Sequence, residues 1–196
     1  MGEIGNFLVS IAIFAGFLLI FIFAIKGARK KLRSQLEPIA NALGGELVSG
    51  WLVNNYVRIP GYDYEAQVVI TPRGKNTPPK LTIRFLDQLD FQITITAENV
   101  LTGVLKKIHL AREVEIGDPI FDQKYLISTR DRDKVQAFLL SGSRREAVDF
   151  FFSNGFSRMG TFQNSVGAEK NNYQNQDLDP GRIREDLDRL RKFISG

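Results

Sequence analysis

Residues 62–97 read YDYEAQVVITPRGKNTPPKLTIRFLDQLDFQITITA, and three runs within this stretch alternate apolar and polar side chains. Side chains at every second position of a strand point to the same face of a sheet, so each run has one apolar face. The runs are separated by RGKNTPP and DQLD, and short links of this kind favour antiparallel pairing. We therefore predict an antiparallel β-meander whose strands lie within 62–70, 81–85 and 91–97.

The second half of the chain carries the signals of helices that would cover the apolar face of this sheet. Ser143 and Glu146 have the S-x-x-E spacing of a capping box ahead of the apolar run AVDFFF, and Gly155 would end that helix. A shorter helix is expected just before it, over residues 133–140. The two predicted helices form a bent pair.

The last predicted helix has Asp179 as its N-cap and Pro180 at its first helical position. Between the helix pair and this helix lies the Asn- and Gln-rich segment 163–176. It is either a solvated loop or a weak edge strand around 166–173, and the sequence does not decide between them. Four apolar side chains share one face of the last helix, as expected for docking on a core: Ile183, Leu187, Leu190 and Ile194.

The N-terminal segment 4–25 reads IGNFLVSIAIFAGFLLIFIFAI and has no ionisable side chain. As a helix it would measure about 33 Å, and the hydrocarbon core of a bilayer is about 30 Å thick. We therefore predict a transmembrane helix, with residues 1–3 as a short external N-terminus. The positive charges follow this span, so the positive-inside rule places the rest of the chain in the cytoplasm. The predicted fold class is α+β, with a transmembrane helix followed by an antiparallel β-meander covered by C-terminal helices.

The excess of positive charge is confined to a short segment after the predicted span. Residues 1–33 hold five of the 26 bases and one of the 22 acids, so residues 34–196 carry 21 of each and no net charge. A neutral domain makes few net phosphate contacts, which argues against nucleic-acid binding. The basic side chains either set the topology alone or also contact anionic lipid headgroups: Lys26, Arg29, Lys30, Lys31 and Arg33.

The domain boundaries follow from these signals. Residues 26–43 form a basic juxtamembrane segment and a short helix over 34–43, which the glycine pair at 44–45 would end. A strand is expected from about Glu46. Residues 44–196 then make up the cytoplasmic α+β domain.

The residue types of this chain exclude several kinds of chemistry. There is no Cys and a single His, so disulfides, thiol catalysis and a His-rich metal site are ruled out. No phosphate-binding loop, nucleophile elbow or H-E-x-x-H motif is present. We therefore assign no catalytic residue, no cofactor and no metal ligand. His109 lies in an alternating run and is interpreted as a surface strand residue.

One pair of acids, Asp118 and Asp122 in IGDPIFDQKYLIS, is close enough in sequence to meet across a turn. The pair could form a two-carboxylate site for acid–base chemistry. We favour a structural role, because Asp-Pro is a common turn start and Asp122 could accept hydrogen bonds from backbone amides or pair with Lys124.

The segment GDPIFDQKYLISTRDRDKVQAFLL at 117–140 resembles a stretch shared by uncharacterised bacterial membrane-anchored proteins, a family of the domain-of-unknown-function type. In that family a G-D-P-x-F-D-x-x-[FY] motif follows a hydrophobic N-terminal segment and an early L-G-G motif. The resemblance covers most of residues 36–160 and implies a bacterial inner-membrane location and a shared α+β fold, with no catalytic residue. The matching positions are Leu43, Gly44, Gly45, Gly117, Asp118, Pro119, Phe121, Asp122, Tyr125, Asp131, Asp133, Leu139 and Leu140.

Two functional hypotheses of different classes remain. In the first, the domain is a membrane-tethered interaction or scaffold module that binds a protein partner or a second copy of itself. In the second, it is a membrane-anchored enzyme with a carboxylate-based site that sequence spacing does not reveal. We favour the first, because one His and no Cys leave few nucleophiles or bases. A cluster of buried acids with raised pKa values in a deep pocket would favour the second.

Overall fold

The computed structural model describes residues 14, 16, 18, 27, 30–49, 55–87, 89–97 and 112–196. Within these residues the chain forms a nine-stranded sheet, in which all strand pairs are antiparallel, together with several helices. In chain order the elements are α1 (30–43), β1 (Glu46–Val48), β2 (Tyr56–Ile59), β3 (Glu65–Thr71), β4 (Lys80–Leu86), β5 (Ile93–Ala97), β6 (Arg112–Glu113), α2 (Pro119–Lys124), β7 (Tyr125–Thr129), α3 (Arg132–Leu139), α4 (Gly142–Ser153), β8 (Arg158–Thr161), β9 (Val166–Asn171), a 3₁₀-helix (Asn175–Leu178) and α5 (Pro180–Ser195).

The core lies between one face of the sheet and the helices. Buried side chains from α1 to α5, such as Leu36, Val148 and Leu187, belong to one hydrophobic cluster that also contains the sheet's apolar side chains. The described helices therefore all pack on the same face. The centre of that face is a row of paired residues that crosses eight strands: Leu47, Val57, Val68, Ile83, Ala168, Met159, Ile95 and Ile127.

The α+β class is confirmed, but the simple meander is wrong. Strands β3 and β4 are antiparallel neighbours as predicted, whereas β9 and β8 lie between β4 and β5 in the order β1-β2-β3-β4-β9-β8-β5-β7-β6. The link at 87–92 therefore crosses three strand spacings, about 14 Å, and six residues can reach about 20 Å. A short link is compatible with this crossing as well as with a hairpin, so link length alone did not specify the neighbour.

The Asn- and Gln-rich segment 163–176 contains strand β9, which is central in the sheet and pairs with β4 and β8. Of the two alternatives offered for this segment, the strand around 166–173 is confirmed, but its predicted position at an edge of the sheet is wrong, as is the solvated loop. Its small side chains permit close packing: a Cβ at Gly167 would lie 2.6 Å from the carbonyl oxygen of Ile83. Backbone hydrogen bonds between Phe162 and Ser165, 2.7 and 3.1 Å long, close the β8–β9 hairpin.

Some of the helix ends lie where the sequence predicted them. Asp179 caps α5 and Gly155 ends α4 with φ +81°, both as predicted. The capping box at Ser143 is wrong, because α4 already begins at Gly142 with Ser141 as its N-cap. The Ser143 hydroxyl instead lies 2.7 Å from the hydroxyl of Ser141.

The transmembrane helix in the predicted fold class is also corrected. No helix among the described residues is long and apolar enough to cross a membrane. The helix at 30–43 contains charged side chains and a proline, and it is only about 21 Å long. Most of the predicted span, 4–25, lies outside the described residues, and only three positions within it are described, all of them helical: Phe14, Gly16 and Leu18. The location and topology deduced from the span stay predictions.

Candidate functional site

Asp118 begins helix α2 and holds it against α4. Its Oδ1 accepts hydrogen bonds from the backbone N–H groups of Ile120 and Phe121 at 3.1 and 3.2 Å. Its Oδ2 lies 2.7 Å from Nη1 of Arg145 on α4. Pro119 occupies the first turn of the helix. The carboxylate of Asp118 is therefore an N-cap with one ionic partner.

Asp122 closes the turn that precedes α2. Its Oδ1 accepts a 3.0 Å hydrogen bond from the backbone N–H of Ile116, and its Oδ2 accepts another of 3.0 Å from Gly117. Gly117 has φ +85°, a left-handed conformation that glycine adopts without strain. Phe121 of the same motif is buried in the core. Both oxygens of Asp122 thus accept hydrogen bonds from backbone N–H groups. Lys124 instead forms an ion pair with Asp149, with its Nζ 3.3 Å from Oδ1.

The predicted lipid-contacting residues are described only in part. Lys26 and Arg29 lie outside the described residues, as does the strand predicted around His109. Lys30, Lys31 and Arg33 are exposed on α1, and Nη2 of Arg33 lies 3.9 Å from Oε1 of Glu37.

The candidate binding site is a cavity of about 140 Å³ under helix α5, which we call the α5 cavity. Strands β4 and β9 form one side, the end of α4 a second, and the 3₁₀-helix with the first two turns of α5 a third. Its lining combines apolar side chains with five charged ones: Leu81, Phe150, Asn154, Phe156, Lys170, Asp177, Arg182, Glu185 and Asp186.

Asp177 and Lys170 form the fixed part of the α5 cavity. Lys170 Nζ donates to Oδ1 of Asp177 at 2.8 Å and to the backbone oxygen of Asn154, at the C-terminal end of α4, at 2.7 Å. The other Asp177 oxygen accepts from the backbone N–H of Gln174 at 2.7 Å. Burial alone would raise the pKa of Asp177, but the hydrogen bonds from Gln174 and Lys170 outweigh it and the pKa lies below its usual value.

Asp186 is the unusual group in the α5 cavity. It is only 8% exposed, and among the described residues its carboxylate has neither a hydrogen bond nor an ion pair. Burial raises the pKa of Asp186 to about 7, Lys170 opposes this rise, and the charges of Glu185 and Asp177 add to it. Every side-chain oxygen that is sealed from solvent in the described residues has a hydrogen-bond partner. The oxygens of Asp186 have no such partner, so they are not sealed and face the cavity that Asp186 lines.

Sequence analysis missed Asp186, although a signal was present. The residue follows Ile183 by three positions and precedes Leu190 by four, so it belongs to the apolar face of α5. A carboxylate among the core positions of an amphipathic helix is uncommon unless it has a partner or a function. Asp177 and Lys170 could not be linked to it from spacing, because a turn and a strand separate them from the helix.

A second candidate region is the sheet face opposite the helices, which we call the open face. Its two buried apolar side chains, Val69 and Leu126, do not belong to the hydrophobic cluster of the core. Gln67 and Thr82 are the buried polar residues of this face. The other polar side chains on it are partly or fully exposed: Tyr56, Arg58, Glu65, Lys80, Arg84, Thr94, Thr96, Arg158 and Glu169.

Cross-strand contacts link these polar side chains. Arg58 lies 3.2 Å from Glu65, whose Oε1 accepts a 2.7 Å hydrogen bond from the amide of Gln67. Arg84 donates two hydrogen bonds, of 3.0 and 2.8 Å, to the amide oxygen of Gln67. The guanidinium of Arg84 therefore has an uncharged acceptor, and no acid in the described part of the chain contacts it.

A second network lies beside the first on the same face, between strands β4, β9 and β8. Lys80 and Arg158 approach the two oxygens of Glu169 at 3.0 and 4.0 Å. The Arg158 guanidinium also lies 4.5 Å from the centre of the Phe162 ring. The two networks fix the side chains of the open face in a defined pattern across the sheet.

Comparison with known proteins finds one informative likeness. No family model and no curated protein sequence matches this chain. Its fold is similar to that in the crystal structure of the mycobacterial trehalose monomycolate transport factor A, TtfA, with a TM-score of 0.54 over 82% of this chain and 95% of that one. The two sequences are 10% identical. The likeness therefore shows that the two proteins share a fold.

Proposed function

We propose that this domain is an interaction module that binds a protein partner on the open face. The observation that carries the proposal is the one-sided packing of the sheet: the described helices all cover one face, and the other presents an ordered polar surface. If the polar side chains of this face only kept the domain soluble, they would need no hydrogen bonds or ion pairs between strands. Polar networks held in place before binding lower the entropy that docking would otherwise cost.

The charge of the open face indicates the chemistry of the partner. Four bases and three acids contribute to the two networks when Glu46, 3.6 Å from Arg58, is included, and Arg84 is the base with no contacting acid among the described residues. A partner surface with a carboxylate opposite Arg84 would therefore complete the pattern. Charge complementarity of this kind supplies register and specificity more than raw affinity.

The enzymatic alternative is supported by one observation, the raised pKa of the buried Asp186. Two features weigh against it. The α5 cavity, about 140 Å³, is smaller than the 300 Å³ or more that is usual for a small-molecule site, and Asp177 is held by Lys170 and Gln174. We therefore favour binding over catalysis.

Two further partners belong to the same proposal. TtfA, which shares this fold, is named a trehalose monomycolate transport factor, and a factor role of that kind suits an interaction module. Anionic lipid headgroups could contact the exposed Lys30, Lys31 and Arg33, at roughly 1 kcal/mol for each base near the surface. A second copy of the chain is the remaining candidate for the open face.

Site-specific photo-crosslinking in cells tests the proposed docking face. A photoreactive amino acid would replace Arg58 or Thr96, on the open face, and as a matched control Arg184, an exposed position on α5. We expect adducts from the two open-face positions and none from the control. An adduct of twice the chain mass would identify a homodimer, and mass spectrometry would identify any other partner.

A charge variant completes the test. Arg84→Gln keeps hydrogen-bonding capacity near Gln67 and removes the unbalanced charge, so it should weaken the adduct at Thr96 severalfold. Adducts from Arg184 alone, or no adducts from any of the three positions, would contradict the proposal.

A further inference from the structure

The α5 cavity has an excess of negative charge that the basic side chains in its lining do not neutralise. Lys170 and Arg182 both approach the same carboxylate oxygen, Oδ1 of Asp177, at 2.8 and 3.7 Å. Glu185 and Asp186 line the same cavity without a hydrogen bond or ion pair among the described residues. With all groups ionised, three acids therefore face two bases.

The position of Asp186 points to a ligand rather than to ordinary packing. Asp186 as a residue is only 8% exposed, and a carboxylate on a buried residue is normally compensated by a hydrogen-bond or ion-pair partner. Its oxygens open onto a cavity instead of a protein donor. A donor that enters this cavity from outside would therefore reach the carboxylate of Asp186.

The lining indicates the chemical class of that donor. The described residues contain no group of three or more acidic or histidine side chains that could hold a metal ion. The rings of Phe150 and Phe156 form part of the wall, and aromatic rings attract cations. Each ring already lies near one cation of this chain: Arg189 is 5.0 Å from the centre of the Phe150 ring and Lys170 is 5.7 Å from that of Phe156. A volume of about 140 Å³ has room for roughly four or five groups the size of a water molecule. An ammonium group with a short alkyl stem meets all three conditions.

We propose that the α5 cavity binds a primary ammonium group, with the carboxylate of Asp186 as its ion-paired acceptor and Glu185 at the rim. The ammonium belongs either to a small free amine or to a lysine side chain of a peptide, since both present the same head. This site is independent of the open face, because it lies on the other side of the sheet.

The proposal has a characteristic dependence on pH. Only the ionised form of Asp186 pairs with an ammonium, and this ionisation is influenced by Lys170 on β9, Asp177 on the 3₁₀-helix, and Arg182 and Glu185 on α5. With a pKa of about 7, about 3% of Asp186 is ionised at pH 5.5 and about 97% at pH 8.5. The apparent dissociation constant should therefore fall about 30-fold between these two pH values.

Titration of the full-length chain with ethylammonium chloride, followed by calorimetry and by NMR shifts of α5 amides, tests this site. Sodium chloride at equal ionic strength controls for salt, and Nα-acetyl-lysine amide is the second arm. Saturable binding of ethylammonium supports a small-amine ligand, and tighter binding of the lysine derivative supports a peptide side chain. Saturation by neither ligand, or equal shifts with sodium chloride, would overturn the proposal.

Two variants locate the binding. Asp186→Asn keeps the side-chain shape but loses the charge, and it should abolish binding at both pH values. Asp188→Asn is the matched control, since Asp188 is exposed on the same helix and accepts its hydrogen bond from Tyr62. Unchanged binding in Asp186→Asn, or pH-independent binding by the unmodified chain, contradicts the assignment even if one variant proves unstable.

Discussion

Asp186 makes the stability of this fold depend on pH near neutrality. Its pKa is about 7 in the folded chain and near 3.8 when exposed, so folding favours the protonated form. The stabilising contribution is complete below about pH 3.8 and is lost as the pH rises through 7. The difference of about three between the two pKa values corresponds to about 4 kcal/mol in the free energy of unfolding.

We expect Asp186→Asn to remove this dependence. The variant should be more stable than the unmodified chain by up to about 4 kcal/mol at pH 8, and the difference should vanish towards pH 4. Urea unfolding at several pH values in an amine-free buffer measures it. Asp188→Asn is the control, and equal pH profiles for Asp186→Asn and the unmodified chain would refute the expectation.

Asp122 is expected to contribute stability through the two backbone amides that it accepts from. Asp122→Ala leaves both donors without this acceptor and should cost about 1 to 2 kcal/mol, whereas Asp122→Asn keeps one oxygen and should cost about 1 kcal/mol or less. Thermal and urea unfolding compare the two. If Asp122→Asn stabilised the domain, the carboxylate would be a strained functional group instead.

At the scale of the element, β9 depends on having no side chain at one position. A Cβ at Gly167 would lie 2.6 Å from the Ile83 carbonyl oxygen and 2.8 Å from Cβ of Arg84, so β4 and β9 would have to separate. We expect Gly167→Ala to cost about 2 kcal/mol or more, comparable to an overpacked core.

Gly142→Ala is the matched control for this substitution. It lies at the start of α4 with nothing within 4 Å of the added carbon, and it should leave stability unchanged or raise it by up to about 1 kcal/mol. Urea unfolding measures both variants. Equal effects of the two would mean that the close approach of β4 and β9 does not limit stability.

The elements that the sequence predicted correctly are those whose signal is local. The alternation in β3 and β4 and the cap at Asp179 depend only on neighbouring residues. Strand β9 was left undecided between a loop and an edge strand because Gly167 and Ala168 carry little hydrophobic signal and the residues around them are polar. Their burial comes from the hairpin partner β8 and from β4, which is distant in sequence.

At the scale of the whole molecule, the order of strands predicts a gradient of local stability. Strand β9 is paired on both sides and buried, whereas β1 and β6 are edge strands of three and two residues. We expect the amides of β9 to exchange with solvent only through global unfolding, and those of β1 to exchange far faster. Hydrogen exchange followed by NMR measures this gradient, and rapid exchange throughout β9 would contradict the central placement.

The topology and the candidate site escaped prediction for the same physical reason. Both depend on tertiary contacts between elements: β4 with β9, and Lys170 on β9 with Asp177 beneath Asp186 on α5. Periodicity reports which face of an element is apolar, but it carries no information on which element covers that face. The motif at 117–122, whose hydrogen bonds to the backbone are all local, was accessible from sequence.

The late position of the β8–β9 hairpin has a consequence for synthesis on the ribosome. Strand β4 ends at residue 86, and its hydrogen-bonding partner β9 is complete only at residue 171. At roughly 5 to 20 residues per second, the nascent chain carries the unpaired edge of β4 for about 4 to 17 s. During that interval an apolar strand is open to pairing with other chains, so a holdase chaperone should raise the yield of this protein more than faster translation of its first half would.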